Sequence, residues 1–276
     1  MAKNGSPAGD PDRLASEINT SVAHPARVYD YLLGGKDNFT VDRALGEALT
    51  VAMPSARDMA RANRDFLGRA VRYLATEAGV RQFLDVGTGI PTAGNTHEVA
   101  QAIAPDCRIV YVDNDPIVLT HARALMTSHP AGATAFIQAD LHDPDTILGD
   151  PVLRRTLDLG EPVALMLVAI MMYIRDDENP QGLVSALMDA LPSGSYLALT
   201  HPTADFNPAE VADGVVATEQ AGISFTARSQ AQVAALFDGL ELVDPGVVGV
   251  VAWHPDDGAP ENPYASYYYA AMGRKP

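Results

Sequence analysis

Three carboxylates stand where an open sheet would hold a ligand. Asp85, Asp113 and Asp140 end or nearly end three apolar, strand-like tracts, Arg81–Val86, Cys107–Asp113 and Thr134–Asp140. In an open α/β sheet the carboxyl ends of the strands line the ligand crevice. The first tract runs into Gly87-Thr88-Gly89, and glycines there let the backbone approach a ligand closely and turn in ways a side chain forbids. A dinucleotide's pyrophosphate needs bare N–H groups at a helix N-terminus, so a carboxylate two residues before the first glycine suits it poorly. The third glycine of the dinucleotide fingerprint is also missing, since position 92 is threonine. A ligand with an ammonium and a sulfonium group suits Asp85 better. Asp113, with Asn114 beside it, is placed to accept both hydroxyls of a ribose. Asp140 is placed to accept the exocyclic amine of an adenine, with Leu141 packing on the ring.

A second group of candidates lies away from these strand ends. Tyr29, Tyr31, Lys36, Asp37, Asn38 and Phe39 surround Gly34-Gly35, a composition suited to a hinged lid with aromatic contacts. Arg57, Arg61, Arg64, Arg69 and Arg72 load one helical tract with positive charge. The expectation is a solvated face, with Arg64 the member most suited to meet an acidic lid residue or an anionic substrate. Tyr173 and His201 follow the fourth and fifth strand tracts, where either could serve as a general base or merely shape the pocket. His97 falls in a first helical turn and reads as structural. No His, Cys, Asp or Glu cluster has metal-ligand spacing, so no metal site is expected.

These candidates need elements to hold them. Pro25 to Leu33 reads as a short helix stopped by the glycine pair. A longer helix follows Pro54, with Ser55 a candidate N-cap and Gly79 its stop. Asn95 and Glu98 form a capping pair that starts the next helix near Thr96. Fourth and fifth strands fall at Val163–Ile170 and Tyr196–Thr200, the fourth apolar on both faces as a central parallel strand should be. A further strand tract falls at Leu240–Val243, and Val247–Trp253 with Tyr267–Met272 suits an antiparallel edge. Strands alternating with helices imply a doubly wound, mostly parallel α/β sheet by the right-handed crossover rule. The domain reading is a disordered tail over 1–17, a helical cap or lid over 18–80, and the ligand-binding sheet domain over 81–276.

Composition narrows the function. A formal charge of −16 argues against a duplex nucleic acid partner and favours a small-molecule or, less well, a protein substrate. The longest apolar run, Pro162 to Ile174, is too short to cross a bilayer. The Gly-, Pro- and Asp-containing start does not read as a signal peptide. The single cysteine, Cys107, fits a reducing cytoplasm. Oligomeric state has no sequence signature here.

With these residues in view, the sequence resembles the class I S-adenosylmethionine-dependent methyltransferases. Asp85-x-Gly-x-Gly is similar to their first motif, Asp113 to their ribose-binding acid and Asp140 to their adenine-contacting acid. Leu167–Met171, including Val168, is similar to their segment facing the methyl donor. Three longer strings, His24–Phe39, Asn63–Leu67 and Gly87–His97, resemble a bacterial family once catalogued as a domain of unknown function and later named S-adenosyl methyltransferase. The resemblance implies a seven-stranded Rossmann-like sheet with an N-terminal helical cap. It implies S-adenosyl-L-methionine as cofactor and direct methyl transfer to an acceptor that it does not identify. A non-catalytic cofactor-binding module and an NAD-dependent oxidoreductase on a similar fold are the alternatives.

Overall fold

A computed structural model of the chain describes residues 19–258 and 260–276; the segment expected as a tail over 1–17 lies outside them. Six helices open with proline directly after a capping side chain. They are α1 (Pro25–Leu32), α5 (Pro116–Leu125), α6 (Pro144–Gly149), α7 (Pro151–Thr156), α8 (Pro180–Asp189) and α9 (Pro208–Gln220). Their caps are His24, Asp115, Asp143, Asp150, Asn179 and Asn207, each accepting a backbone N–H from the first turn. Proline at the first position has its φ preset and lacks only a donor that would have no helical partner. The remaining helices are α2 (Thr40–Ala52), α3 (Ala56–Thr76), α4 (Thr96–Ile103) and α10 (Gln230–Ala235).

The strands are β1 (Gln82–Val86), β2 (Arg108–Asp113), β3 (Ala133–Gln138), β4 (Ala164–Val168), β5 (Tyr196–Pro202), β6 (Glu241–Leu242), β7 (Val248–Gly249) and β8 (Tyr268–Arg274). They form one sheet in the order β3-β2-β1-β4-β5-β8-β6, with β7 also on β8. β1 to β5 are parallel and β8 is antiparallel to β5, β6 and β7. The sheet is the mostly parallel, doubly wound α/β architecture expected, with eight strands rather than seven. The tract expected as one strand over Val247–Trp253 pairs only at Val248–Gly249 before turning into a 3₁₀ segment at Val250–Ala252. Two short pieces, β6 and β7, thus share β8 as partner.

Alternation along the strands feeds two cores. Phe83, Ala164 and Met166 face one core, with α3 supplying Phe66, Ala70 and Leu74. Leu84, Leu165 and Leu167 face the other, against Leu187, Val233 and Phe237. Apolar residues on both faces are what a sheet covered on both sides requires. β1 lies between β2 and β4, so the strand order reverses there, and the crevice of such a sheet opens at that point.

The N-terminal helices are tied to this frame by buried polar groups. The fully buried Asp42 carboxylate accepts from the N–H groups of His24 and Phe39, joining the starts of α1 and α2. Helix α2 had no separate expectation in the sequence. Helix α3 follows Pro54 as expected, but Ser55 makes no side-chain cap; its N–H donates to Glu210 Oε1 at 2.9 Å. Buried Arg69 donates to the carbonyls of Val250 and Trp253, fastening α3 to the segment after β7. Helix α4 begins at Thr96 as expected, and Glu98 accepts from Asn95 N.

Candidate functional site

A cavity of about 320 Å³ opens where the strand order reverses, roofed by α1 and flanked by α3. The nine residues expected around a cofactor, Asp85, Gly87, Thr88, Gly89, Asp113, Asn114, Asp140, Leu141 and Val168, all line it. The turn after β1 depends on glycine. Gly87 and Gly89 sit at φ +77° and +69°, and a Cβ on Gly87 would lie 2.5 Å from the Ile170 side chain. Gly87 N donates to Val112 O at 2.8 Å, fixing the turn to β2.

The three carboxylates differ in how readily they ionise, because their burial and their partners differ. Asp85 is 5% exposed, and burial pushes its carboxyl up to about 6, against the pull of a 2.6 Å bond from Thr96 Oγ1 and the Arg64 charge. Burial also raises Asp113, although Asp115 N donates to its Oδ1 at 2.9 Å and Gly89 N to its Oδ2 at 2.8 Å. Each of those oxygens retains a second acceptor site. For Asp140, burial opposes ionisation, but bonds from His142 N and Asn114 Nδ2 and the His142 ring hold it below the usual carboxylate range.

The opposite wall is held by contacts distant in sequence. The N–H of Ala169, an alanine at φ +54°, donates to Thr200 Oγ1, whose hydroxyl donates to Asn63 Oδ1 at 2.5 Å. Asn63 Nδ2 donates to the Tyr29 hydroxyl at 2.8 Å, and that hydroxyl donates to Ala60 O at 3.0 Å. Each group gives its proton to the next, so the chain fixes the Asn63 amide and the Tyr29 proton in one sense. Tyr173 also lines the cavity, and its hydroxyl has no hydrogen-bond partner among the described residues. Burial raises its pKa well above the ordinary tyrosine value, leaving it a donor at neutral pH. Arg64 donates to Asn95 Oδ1 at 3.0 Å, while its Nε is buried without a partner.

Of the lid and substrate candidates, Tyr29, Arg64 and Tyr173 reach the cavity, whereas Tyr31, Lys36, Asn38 and His201 do not line it. Tyr31 packs under the Arg57 guanidinium, 4.7 Å from ring centre to carbon. Asn38 is buried against Asp30 Oδ2 at 2.7 Å, and Lys36 is exposed in the turn. His201 is fully buried between Pro202 O and buried Arg228, whose Nη1 lies 2.7 Å from His201 Nε2. Burial first, then the Arg228 charge, lowers it to about 4, so it is neutral and already committed. His97 is buried and bonded through N and Nδ1 to the Tyr111 hydroxyl, a structural position.

Sequence reasoning assigned no role to His24, Asn63 or Ile223, and reached His142 and Ile170 only as members of the tracts around Asp140 and spanning Leu167–Met171; all five line the cavity. His24 and Asn63 lay inside two of the distinctive strings, which was a usable signal. Ile223 arrives from the loop after α9 and carried none. Among the described residues no group of three or more His, Cys, Asp or Glu could hold a metal, and no helix is long and apolar enough to cross a membrane.

Comparison with known proteins gives the geometry its context. The crystal structure of a DUF574 family protein from Streptomyces avermitilis MA-4680 is 48% identical, with a TM-score of 0.90, covering 93% of this chain and 99% of that one. A Thermobifida fusca YX structure assigned as a methyltransferase is 42% identical, with a TM-score of 0.86, covering 97% and 99%. An O-methyltransferase family protein from Burkholderia thailandensis, 16% identical with a TM-score of 0.51 over 75% of this chain and 55% of that one, shares the fold. No curated protein matches the sequence. The profile of the S-adenosyl methyltransferase family matches residues 11–276. The chain therefore belongs to the S-adenosyl methyltransferase family, enzymes that take their methyl group from S-adenosylmethionine.

Proposed function

We propose that the chain transfers a methyl group directly from S-adenosylmethionine to a small-molecule acceptor, with the donor held in the large cavity under a cap formed by residues 18–80. One observation carries this reading: nine residues expected at a donor site, eight from their chemistry or place in the turn and Val168 from the resemblance, line a single crevice at four separate strand ends. The residues present suit the donor. The unpartnered buried Nε of Arg64 is an N–H that a carboxylate would satisfy. Asp85 is an anion for an ammonium group, and the free acceptor sites of Asp113 suit two ribose hydroxyls. Asp140 and Leu141 are assigned to the adenine edge and face.

When bound, the donor supplies a methyl group already activated by its positive sulfur. The chain's own residues then have to orient the acceptor and exclude water rather than generate a reactive group. That division suits a cavity whose titratable side chains are mostly committed to neighbours. The net charge of −16 supports a small molecule over a nucleic acid. Buried, unpaired Cys107 supports a cytoplasmic setting.

Parallel calorimetric titrations with S-adenosylhomocysteine and NAD test the donor. The homocysteine analogue is expected to bind and NAD to give no heat of binding; the reverse result ends this reading. Tritium-methyl transfer to a small-molecule extract tests turnover. Binding with no transfer to any acceptor would point instead to a non-catalytic module.

A further inference from the structure

A smaller space of about 60 Å³ adjoins the large cavity. Four residues wall both: Pro25, Tyr29, Tyr173 and Ile223. They come from α1, the 3₁₀ turn after β4 and the loop after α9; none comes from the ends of β1, β2 or β3. The small space is thus reached from the β4 side, opposite the two carboxylates assigned to ribose and adenine.

Its walls are mostly apolar and include three buried methionines, Met53, Met59 and Met172. Methionine is unbranched and polarisable and conforms to flat or irregular guests. Its few polar groups are nearly all occupied. The Tyr29 hydroxyl belongs to the Asn63–Ala60 chain, Thr218 Oγ1 donates to Gly214 O, and the Tyr268 hydroxyl rests on Met172 Sδ at 3.6 Å. Only Tyr173, on the shared wall, offers an unpartnered hydroxyl among the described residues. The volume has room for roughly four to six water-sized groups, the bulk of one six-membered ring.

We propose that this space receives the methyl acceptor, and that the acceptor is a small, largely apolar molecule, no wider than one ring, presenting an oxygen or sulfur that has already lost its proton. The inference rests on the larger cavity being the S-adenosylmethionine site. No group at the shared wall can take a proton. Tyr29 already gives its own proton to Ala60 O, and Tyr173 is held protonated by burial. Arg64 only donates. His24 lines the large cavity alone, beside Asp115 Oδ2 at 3.1 Å. Asp113 accepts two backbone N–H groups, and its remaining acceptor sites are assigned to the ribose hydroxyls.

The reaction then balances without a base. A lone pair of the anionic acceptor forms the new bond to the methyl carbon, and the methyl–sulfur bond breaks with its electron pair going to sulfur. The sulfonium and acceptor charges cancel, and no proton moves. An anion in an apolar space is tolerated because that positive sulfur and the Tyr173 hydroxyl face it.

The test uses the full chain, carrying ¹³C-methyl methionine, saturated with sinefungin, whose protonated amine stands in for the sulfonium charge, and titrated with 4-nitrophenol. Binding is expected to shift the methyl signals of Met53, Met59 or Met172 and to tighten as the pH rises through the probe's own ionisation. Tyr173→Phe is expected to weaken it about tenfold, and 4-nitroanisole, which cannot ionise, should be indifferent to that change. Two-ring 2-naphthol should be refused by the native protein and admitted by Phe225→Ala. Ala60→Leu should exclude 4-nitrophenol while S-adenosylhomocysteine affinity stays within twofold; if that variant misfolds, the Phe225→Ala result decides. Shifts confined to other methionines, tighter binding at low pH, or equal binding of the two-ring probe overturn the proposal. Failure of 4-nitrophenol with sinefungin bound overturns this inference alone, whereas failure of both sinefungin and S-adenosylhomocysteine to bind overturns the donor site.

Discussion

The two sides of the cavity are built by different rules. On the β1–β3 side, charged groups are fixed by neighbours no more than 26 residues away: Asp113 by the N–H two residues on and by that of Gly89, 24 residues back, and Asp140 by the N–H of His142, two residues on, and by Asn114, 26 residues back. On the β4 side the same kind of fixing spans 137 residues from Thr200 to Asn63, and 57 from Arg228 to Met171. The near side is polar and made of recurrent turn chemistry. The far side is apolar, and its shape depends on helices and loops converging from the whole chain.

The strongest way to break this comparison is at the clamp behind the far wall. Buried Arg228 donates to the carbonyls of Met171 and Ile174 and to Asp176, besides contacting His201. Arg228→Met leaves the buried Met171 and Ile174 carbonyls without that donor, while exposed Asp176 turns to water, and a stability loss of about 3–5 kcal/mol is expected by chemical denaturation. A loss below about 1 kcal/mol would show that the far wall does not depend on the clamp.

Next in size is the near side. Asp113→Ala removes a charged acceptor, so S-adenosylhomocysteine should bind tenfold or more weakly, corresponding to about 1.5–3 kcal/mol. Unchanged affinity in a folded variant would take Asp113 out of the site.

A smaller effect comes from Asp85, which faces Arg64 from α3, Thr96 from α4 and Tyr111 from β2. Its carboxyl is raised to about 6 in the folded chain. Between the ordinary carboxylate value and about 6, the native state holds a proton that the unfolded chain has lost. Stability of the unliganded protein therefore falls as pH rises through that window and levels off above it. Affinity for the ammonium-bearing S-adenosylhomocysteine should run the other way, dropping severalfold as pH falls below about 6. Asp85→Asn should flatten both profiles; a profile unchanged by the substitution assigns the titration elsewhere.

The mildest probe sharpens the division itself. Tyr29→Phe removes the last hydroxyl of the Ala169–Thr200–Asn63 chain, lowering stability by about 1 kcal/mol. Thermal melts should record that loss while S-adenosylhomocysteine affinity holds within twofold. A tenfold loss of affinity would mean that the two sides are not separable.

How much of this was legible follows the same division. The glycine turn, the three acids and the parallel order of β1 to β5 were visible because each is written in a short window: strand alternation, a glycine where φ must be positive, a carboxylate at a strand end. Tyr31, Asn38 and His201 looked equally functional, but each is absorbed by packing. Asn38 is held by Asp30 and His201 by Arg228, partners that no local pattern announces. The tract Val247–Trp253 pairs with β8 at two residues only, before the 3₁₀ turn at Val250–Ala252.

The sequence by itself determined the mostly parallel sheet and the family and pointed to the residues proposed for the donor, because strand alternation, glycine turns and strand-end carboxylates are each written in a short window. Only the tertiary structure decided that Tyr29 and Tyr173 meet, that Asn63 is oriented by Thr200, and that Ile223 closes a methionine-lined space beside them. Those outcomes depend on contacts between residues far apart in the chain, whose geometry exists only once both cores have packed.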